Sequence, residues 1–297
     1  MQIMFKILIV ILLITLPSSA LTINSEHLFI VGSTTAANAL KEINEEFYLT
    51  TGVQVIIRPI GSSKGVISVA EEVSDIGIVS RYLTKDEVKR WANLEQTTIG
   101  QDIIGIMVSP KNPIKNVSSS QLADIYSGQQ SHWEAPELTN NNISLLSKEN
   151  SHGTFDSFIS FLNLQSIKKQ DKLFFKHKGV ASIYKGEGAI TYDNIFQAIG
   201  DLARSDNAIA YDSITSYKHF QKKQPNIQIK LLSLNGIHPI VKNTVNKNYP
   251  LKRPINLVSQ SNSRPLVKDY IKLIMSNRGQ AILEESYVIP IKSYQVD

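Results

Sequence analysis

Short apolar runs alternate with segments of helical period along most of this chain, and the switch between them is repeatedly made of Gly, Ser and Thr. That alternation predicts strands followed by helices that pack back on a sheet, an α/β architecture with parallel strand pairs. Residues 28–31 read as a strand ending at Gly32. A helix is expected over 36–48, with Ala36, Leu40, Ile43 and Phe47 at helical intervals. Residues 53–60 read as a second strand, with a helix from the following loop to about Glu72, and residues 75–80 as a third strand. Thr84 and Glu87 have the spacing of a capping box. A strand over 103–108 runs into Pro110 and Pro113, which mark a crossover. Beyond it, helices are expected over 120–126, 154–162 and 193–203, and a strand over 227–232. Asn235-Gly236 is a turn, and the last helix runs over 265–275.

A length of 297 residues suggests two domains and a sizeable core. The chain has no cysteine, which excludes disulfides, Cys-type zinc sites, thiol nucleophiles and a lipid anchor through cysteine. Thirty-one basic against 26 acidic side chains leave a net charge of +5, which permits an anionic ligand without demanding nucleic acid. Lys168, Lys169, Lys172, Lys176 and Lys178 lie beside Phe174 and Phe175, and a solvated helix face accounts for them better than a nucleic-acid patch.

The first twenty residues read as a secretory signal peptide. Lys6 precedes an apolar run over 7–16, and Pro17-Ser18-Ser19-Ala20 supplies small residues for cleavage. The run is shorter than the ~20 residues a membrane span needs, although an uncleaved anchor is the alternative. An exported chain without cysteine fits a bacterial periplasm.

Three loops share one chemistry. Gly32-Ser33-Thr34-Thr35 and Gly61-Ser62-Ser63-Lys64-Gly65 each follow a strand and open a helix, and Ser151-His152-Gly153-Thr154 opens a third helix. Each places hydroxyls beside the free amides at the positive end of a helix, which suits an anion. Ser80-Arg81 ends the third strand, where ligands of open α/β sheets bind. Plain capping is the simpler account of any one such loop; three in one chain favour a cage for one tetrahedral oxyanion. Gly61-Ser62-Ser63-Lys64-Gly65 also fits the G-x-S-x-G pattern, which leaves a serine hydrolase built on Ser63 as an alternative of another class. No cofactor fingerprint is present, and the histidines are too scattered for a metal centre, His152 with Asp156 being only two ligands.

Taken in order, these motifs resemble the periplasmic phosphate-binding proteins of ABC importers, within the type II periplasmic-binding-protein family. The first two loops and Asp75-Ile76-Gly77-Ile78-Val79-Ser80-Arg81 are similar to that family's phosphate loops. The segment 116–133, Ala208-Ile209-Ala210-Tyr211, Gly236-Ile237-His238-Pro239 and Tyr249-Pro250-Leu251-Lys252-Arg253-Pro254 continue the likeness to about residue 291. The resemblance implies a two-lobed α/β fold, each lobe a mixed sheet flanked by helices, that closes on phosphate. Lobe one would comprise residues 21–108 plus 235–297, and lobe two residues 109–234. It implies a non-enzymatic, monomeric periplasmic binder that passes phosphate to an inner-membrane ABC permease. Another oxyanion such as sulfate or molybdate, or a sensor without transport, is the alternative.

Carried over residue by residue, the resemblance assigns ligand contacts to Thr34, Thr35, Ser62, Ser63 and Ser80 from lobe one, and to Lys148, His152, Gly153 and Thr154 from lobe two. This chain departs from the family's Arg-x-x-Gly-Ser-Gly-Thr-Arg motif. Lys148 puts a point charge where a bidentate guanidinium is usual, Phe155 removes a second guanidinium, and His152 replaces a serine. If His152 faces the anion, its protonation adds a charge-assisted bond and affinity rises below roughly pH 6.5.

Overall fold

The structure, a computed structural model, describes residues 26–291 apart from 139–141, 182 and 242–243; the expected signal peptide lies outside the described residues. The chain opens with β1 (His27–Gly32), α1 (Thr34–Ala39), α2 (Lys41–Thr51), β2 (Gln54–Pro59), α3 (Ser62–Ala70), β3 (Ile76–Val79) and α4 (Lys85–Arg90), then enters the long strand β4 (Leu94–Val108). Next come β5 (Asn116–Val117), α5 (Ser119–Tyr126), β6 (Ser144–Lys148), α6 (Gly153–Phe161), β7 (Leu164–Lys169), β8 (Lys172–His177), β9 (Ala189–Tyr192), α7 (Ile195–Arg204), β10 (Ala208–Ser213), α8 (Ile214–Lys223) and β11 (Lys230–Leu234). The short strands β12 (Ile240–Val241) and β13 (Thr244–Val245) lead to β14 (Lys252–Gln260), α9 (Pro265–Met275), α10 (Asn277–Glu285) and β15 (Ile289–Pro290).

One path of strands, β2-β1-β3-β14-β4-β10-β6-β9-β8-β7, runs through the molecule, and β4 joins its two halves. Residues 94–103 of β4 pair antiparallel with β14, and residues 104–108 pair antiparallel with β10. The handover falls between Ile103 and Ile104, where the Ile104 amide donates to Leu251 O. Each half has its own core. Leu28, Ile43, Phe47, Ile78, Leu257 and Tyr270 fill the first, and Ile106, Tyr126, Phe158, Phe175, Tyr211 and Leu232 fill the second. A further cluster of Leu146, Ala198, Leu202 and Phe220 packs α7 and α8 onto the second half. The strand–helix alternation is thus satisfied twice, because each half's helices need a sheet face to bury their apolar stripes.

The sheet is mixed. β1 pairs in parallel with β2 and β3, but β14 pairs antiparallel with β3 because the chain re-enters the first half from the opposite direction. The helix expected over 36–48 is two helices. Leu40 takes φ −93°, ψ 0°, and its amide bonds Ala37 O, a tighter turn that redirects α2. The capping box at Thr84 and Glu87 forms in both directions. The helix over 265–275 is not the last: Ser276 caps α10 through its hydroxyl. The lysine-rich segment is not a helix face but the β7–β8 hairpin. Its lysine spacing imitates a helix, whereas the buried side chains Leu173 and Phe175 follow the two-residue period of a strand.

Gly32 makes the first loop possible. It has φ +149°, and a Cβ there would lie 2.1 Å from Ile78 O, so β1 approaches β3 more closely than a side chain allows. The Ser33 amide then donates to Ile78 O at 2.8 Å, which aims the loop after β1 at the end of β3.

Candidate functional site

Ser33, at the N-cap of α1, brings its Oγ to 2.6 Å from Ser80 Oγ and accepts from the Ala36 amide. Thr34 and Thr35 follow in the first turn, Thr35 buried and Thr34 half-buried. Ser62 opens α3 and is buried; its Oγ accepts the Ser80 amide at 3.1 Å. Three serines from three elements are therefore joined in one hydrogen-bonded chain at the ends of β1 and β3. Ser33 was not among the expected site residues; its place directly after Gly32, before a helical run, is the N-cap signal that marks it.

Ser63 is exposed, and its Oγ accepts from Arg81 Nη2 at 3.1 Å. An always-charged guanidinium cannot take a proton from that hydroxyl, so the contact does not activate a serine nucleophile. Arg81 is itself clamped by both carboxylate oxygens of Glu87 at 2.8 Å.

The second half of the molecule meets these serines through α6. Gly153 is the first residue of that helix, and a Cβ on it would lie 3.0 Å from Ser62 Oγ and 3.1 Å from Ser80 O. The first residues of α3 and α6 therefore abut. Each helix begins with backbone amides that have no intrahelical acceptor, and neither the N-cap Gly61 nor the N-cap His152 supplies a side-chain oxygen to them. Two positive helix ends, the hydroxyls of Ser33, Ser62, Ser80 and Thr154, and near-complete burial define a place where an anion can be held by dipoles.

Three residues behave in ways the sequence did not announce. Lys148 is buried, with Nζ 3.0 Å from Asp212 Oδ2, 2.8 Å from Asp193 O and 4.8 Å from the Tyr192 ring centre. Its charge is matched within the second half. His152 turns Nε2 to Asp193 Oδ1 at 3.2 Å. Burial and the neighbouring Lys148 push its imidazole below the usual value, and Asp193 opposes them only in part. Phe155 is buried and packs toward Phe175 with ring centres 6.2 Å apart.

The guanidinium that Phe155 cannot supply comes from another element. Arg253, on β14, is buried; Nη1 donates to Thr154 Oγ1 at 2.6 Å, while Nε and Nη2 both donate to Asp102 Oδ2, at 2.9 and 2.8 Å. The other Asp102 oxygen accepts from Ser213 Oγ at 2.7 Å. The segment Tyr249 to Pro254 was legible as a motif, but nothing in its spacing places its arginine against Thr154, about a hundred residues upstream. Among the described residues no group of three or more His, Cys, Asp or Glu is placed to hold a metal.

A family model for the PBP superfamily domain matches residues 17–278. The chain belongs to the PBP superfamily. It is 27% identical over 295 residues to the phosphate-binding protein PstS of Borreliella burgdorferi, covering 96% of this chain and 99% of that one. A Staphylococcus epidermidis phosphate-binding protein PstS is 24% identical over 276 residues, 89% of this chain and 79% of that one. Among solved structures, a Clostridium perfringens substrate-binding protein of phosphate ABC transporter type, determined with bound phosphate, superposes with a TM-score of 0.73 at 25% identity. It covers 90% of this chain and 100% of that one. An ABC-type phosphate transport receptor from Vibrio cholerae gives a TM-score of 0.67 at 23% identity, covering 89% and 100%. The fold is thus the two-lobed α/β fold of type II periplasmic binding proteins, each lobe a mixed sheet flanked by helices, as the resemblance implied.

Proposed function

We propose that the chain is a solute-binding protein that captures inorganic phosphate between its lobes and delivers it to an ABC permease of the inner membrane. The observation that carries this reading is the contact of Gly153 with Ser62 and Ser80, which puts the amide-bearing ends of α3 and α6 at one buried point. Donors fixed there replace the hydration shell of a tetrahedral anion without needing a full balancing charge. The near-full-length likeness to phosphate-binding proteins supports phosphate over sulfate or molybdate.

In this reading the ligand contacts come from Thr34, Thr35, Ser62, Ser63 and Ser80 on lobe one and from Gly153 and Thr154 on lobe two. Ser63 contributes its backbone amide, since its hydroxyl serves Arg81. Lys148 and His152 act through the field and shape of the second-lobe wall, because their polar atoms are engaged by Asp212 and Asp193. In the same reading lobe one comprises residues 21–108 with 235–297 and lobe two residues 109–234, and residues 104–108 already pair with β10 on the lobe-two side of that boundary. The hinge itself lies at the partner exchange on β4 between Ile103 and Ile104, beside Leu251. The protein works in the periplasm as a monomer without a lipid anchor after loss of residues 1–20, and it catalyses nothing. Among the described residues no helix is long and apolar enough to cross a membrane.

Calorimetric titration of the purified protein with phosphate, arsenate, sulfate and molybdate tests the reading. Tight binding of phosphate with weaker sulfate and molybdate is expected; binding of none of the four overturns it.

A further inference from the structure

We propose that the outer face of the β7–β8–β9 sheet docks the protein on an anionic phospholipid surface. Strand β7 is the last in the sheet path. The two-residue period of these strands sends Leu164, Leu173, Phe175 and Ala189 into the core and turns the alternate residues outward. The outward set is Ile167 and Lys169 on β7, Lys172, Phe174 and Lys176 on β8, and Ile190 on β9.

The arrangement is costly for the fold alone. Lys169 stands directly opposite Lys172 across the hairpin, and like charges so placed destabilise a strand pair. Among the described residues neither has a carboxylate partner. Lys169 instead lies 5.6 Å from the Phe174 ring centre and 5.9 Å from that of Tyr184, and Lys176 lies 5.1 Å from Tyr184. Ile167 and Ile190 on the same face, and Val180 and Ile183 in the connection from β8 to β9, are 40–78% exposed. Lys168, on the opposite face, reaches Glu149 at 3.2 Å, so the hairpin is tied to the segment that leads into α6.

Lysines interleaved with exposed aliphatic and half-buried aromatic side chains fit a headgroup layer. The ammonium groups meet lipid phosphates while the stems and apolar neighbours enter the acyl boundary. The patch has no arginine, the side chain that reads nucleic-acid bases by a planar fork. Lysine is also depleted where proteins dock on proteins. The chemistry therefore favours lipid over either macromolecule.

Co-sedimentation of the mature protein, residues 21–297, with phosphatidylglycerol–phosphatidylcholine vesicles, against phosphatidylcholine alone, tests the proposal at low ionic strength. Binding to the anionic vesicles is expected, and Lys169→Glu with Lys172→Glu should weaken it at least about tenfold, since one lysine near such a surface contributes roughly fivefold. Lys41→Glu with Lys223→Glu, exposed on another face, alters net charge equally and should keep vesicle binding. Phosphate titration of both variants checks that the fold is retained. The proposal fails if the protein ignores anionic vesicles, or if the two double variants lose binding equally. It also fails if the hairpin substitutions abolish binding to a single-stranded oligonucleotide while no vesicle binding exists.

Discussion

Arg253 and Thr154 are joined by a 2.6 Å hydrogen bond although they lie on different halves of the sheet path, β14 and the start of α6. The same guanidinium holds Asp102 through two further bonds, so one buried cation links the long strand β4, the returning strand β14 and the α6 terminus.

Removing that cation leaves Asp102 buried with only hydroxyl partners. Arg253→Met should destabilise the protein by about 3–5 kcal/mol, roughly 10 °C in melting temperature for a chain of this size. Asp102→Asn should be milder, because Arg253 keeps Thr154 and an amide oxygen as acceptors. Thermal melts of both variants check the order. An Arg253→Met protein as stable as the parent would mean that the network is not structural. Phosphate affinity should also fall in Arg253→Met, since Thr154 loses the group that orients its hydroxyl.

Gly153 brings the start of α6 against Ser62 and Ser80 of the first half. Its backbone is not in the left-handed region, so alanine is allowed there and only the approach to Ser62 and Ser80 is affected. Gly153→Ala should hold the halves apart at a cost of about 1–3 kcal/mol, seen as roughly tenfold to hundredfold weaker phosphate binding. The melting temperature of the unliganded protein should change little, because an open form avoids the contact. Calorimetry with a parallel melt separates the two effects. Full affinity in the variant would show that closure does not bring these residues together.

Much of this site was legible before any coordinates. The Gly-Ser-Thr loops announce helix starts, and the α3 and α6 starts do converge, because strands β1 and β3 are neighbours and α6 faces their ends. What was not legible is tertiary. Arg253 reaches Thr154 only because β14 re-enters beside β4, and no local pattern records that pairing. Lys148 and His152 are assigned to the ligand only through the resemblance of 148–155 to the family's second-lobe motif. Their partners Asp212 and Asp193 lie far along the chain, and no local pattern records those bonds. The β7–β8 lysines were misread for a simpler reason: charged residues on a solvent-exposed strand need not alternate, so their spacing matched a helix by accident.

Ser62 and Ser63 are adjacent but should respond differently to alanine. Ser62 Oγ is the acceptor of the buried Ser80 amide, so Ser62→Ala leaves that donor unsatisfied at about 1–3 kcal/mol and also removes a donor from the anion. Phosphate affinity should drop about tenfold or more. Ser63→Ala removes an exposed contact to Arg81, which Glu87 still clamps, and should change stability by less than about 0.5 kcal/mol. Its phosphate affinity should stay within a few-fold of the parent, because the backbone amide remains. Equal losses in the two variants would return the Ser63 hydroxyl to the ligand site.

The His152 imidazole supplies a pH signature. Burial, with Lys148 beside it, holds its folded-state value below the usual 6.5, whereas in the unfolded chain it titrates near 6.5. Between the two values the unfolded chain binds more protons than the folded one, so stability rises with pH across that window. The stabilisation is fully present above about pH 6.5 and is lost as pH falls through the folded-state value. Melts of the parent and of His152→Gln from roughly pH 8 down to pH 5 should therefore diverge, the variant having the flatter acid limb. Phosphate affinity, corrected for protonation of the ligand itself, should stay level down to about pH 6.5, because the ring is neutral there and bonded to Asp193. An affinity that climbs as pH approaches 6.5 from above, and that His152→Gln abolishes, would place an imidazolium against the anion and overturn the assignment of His152 to the wall.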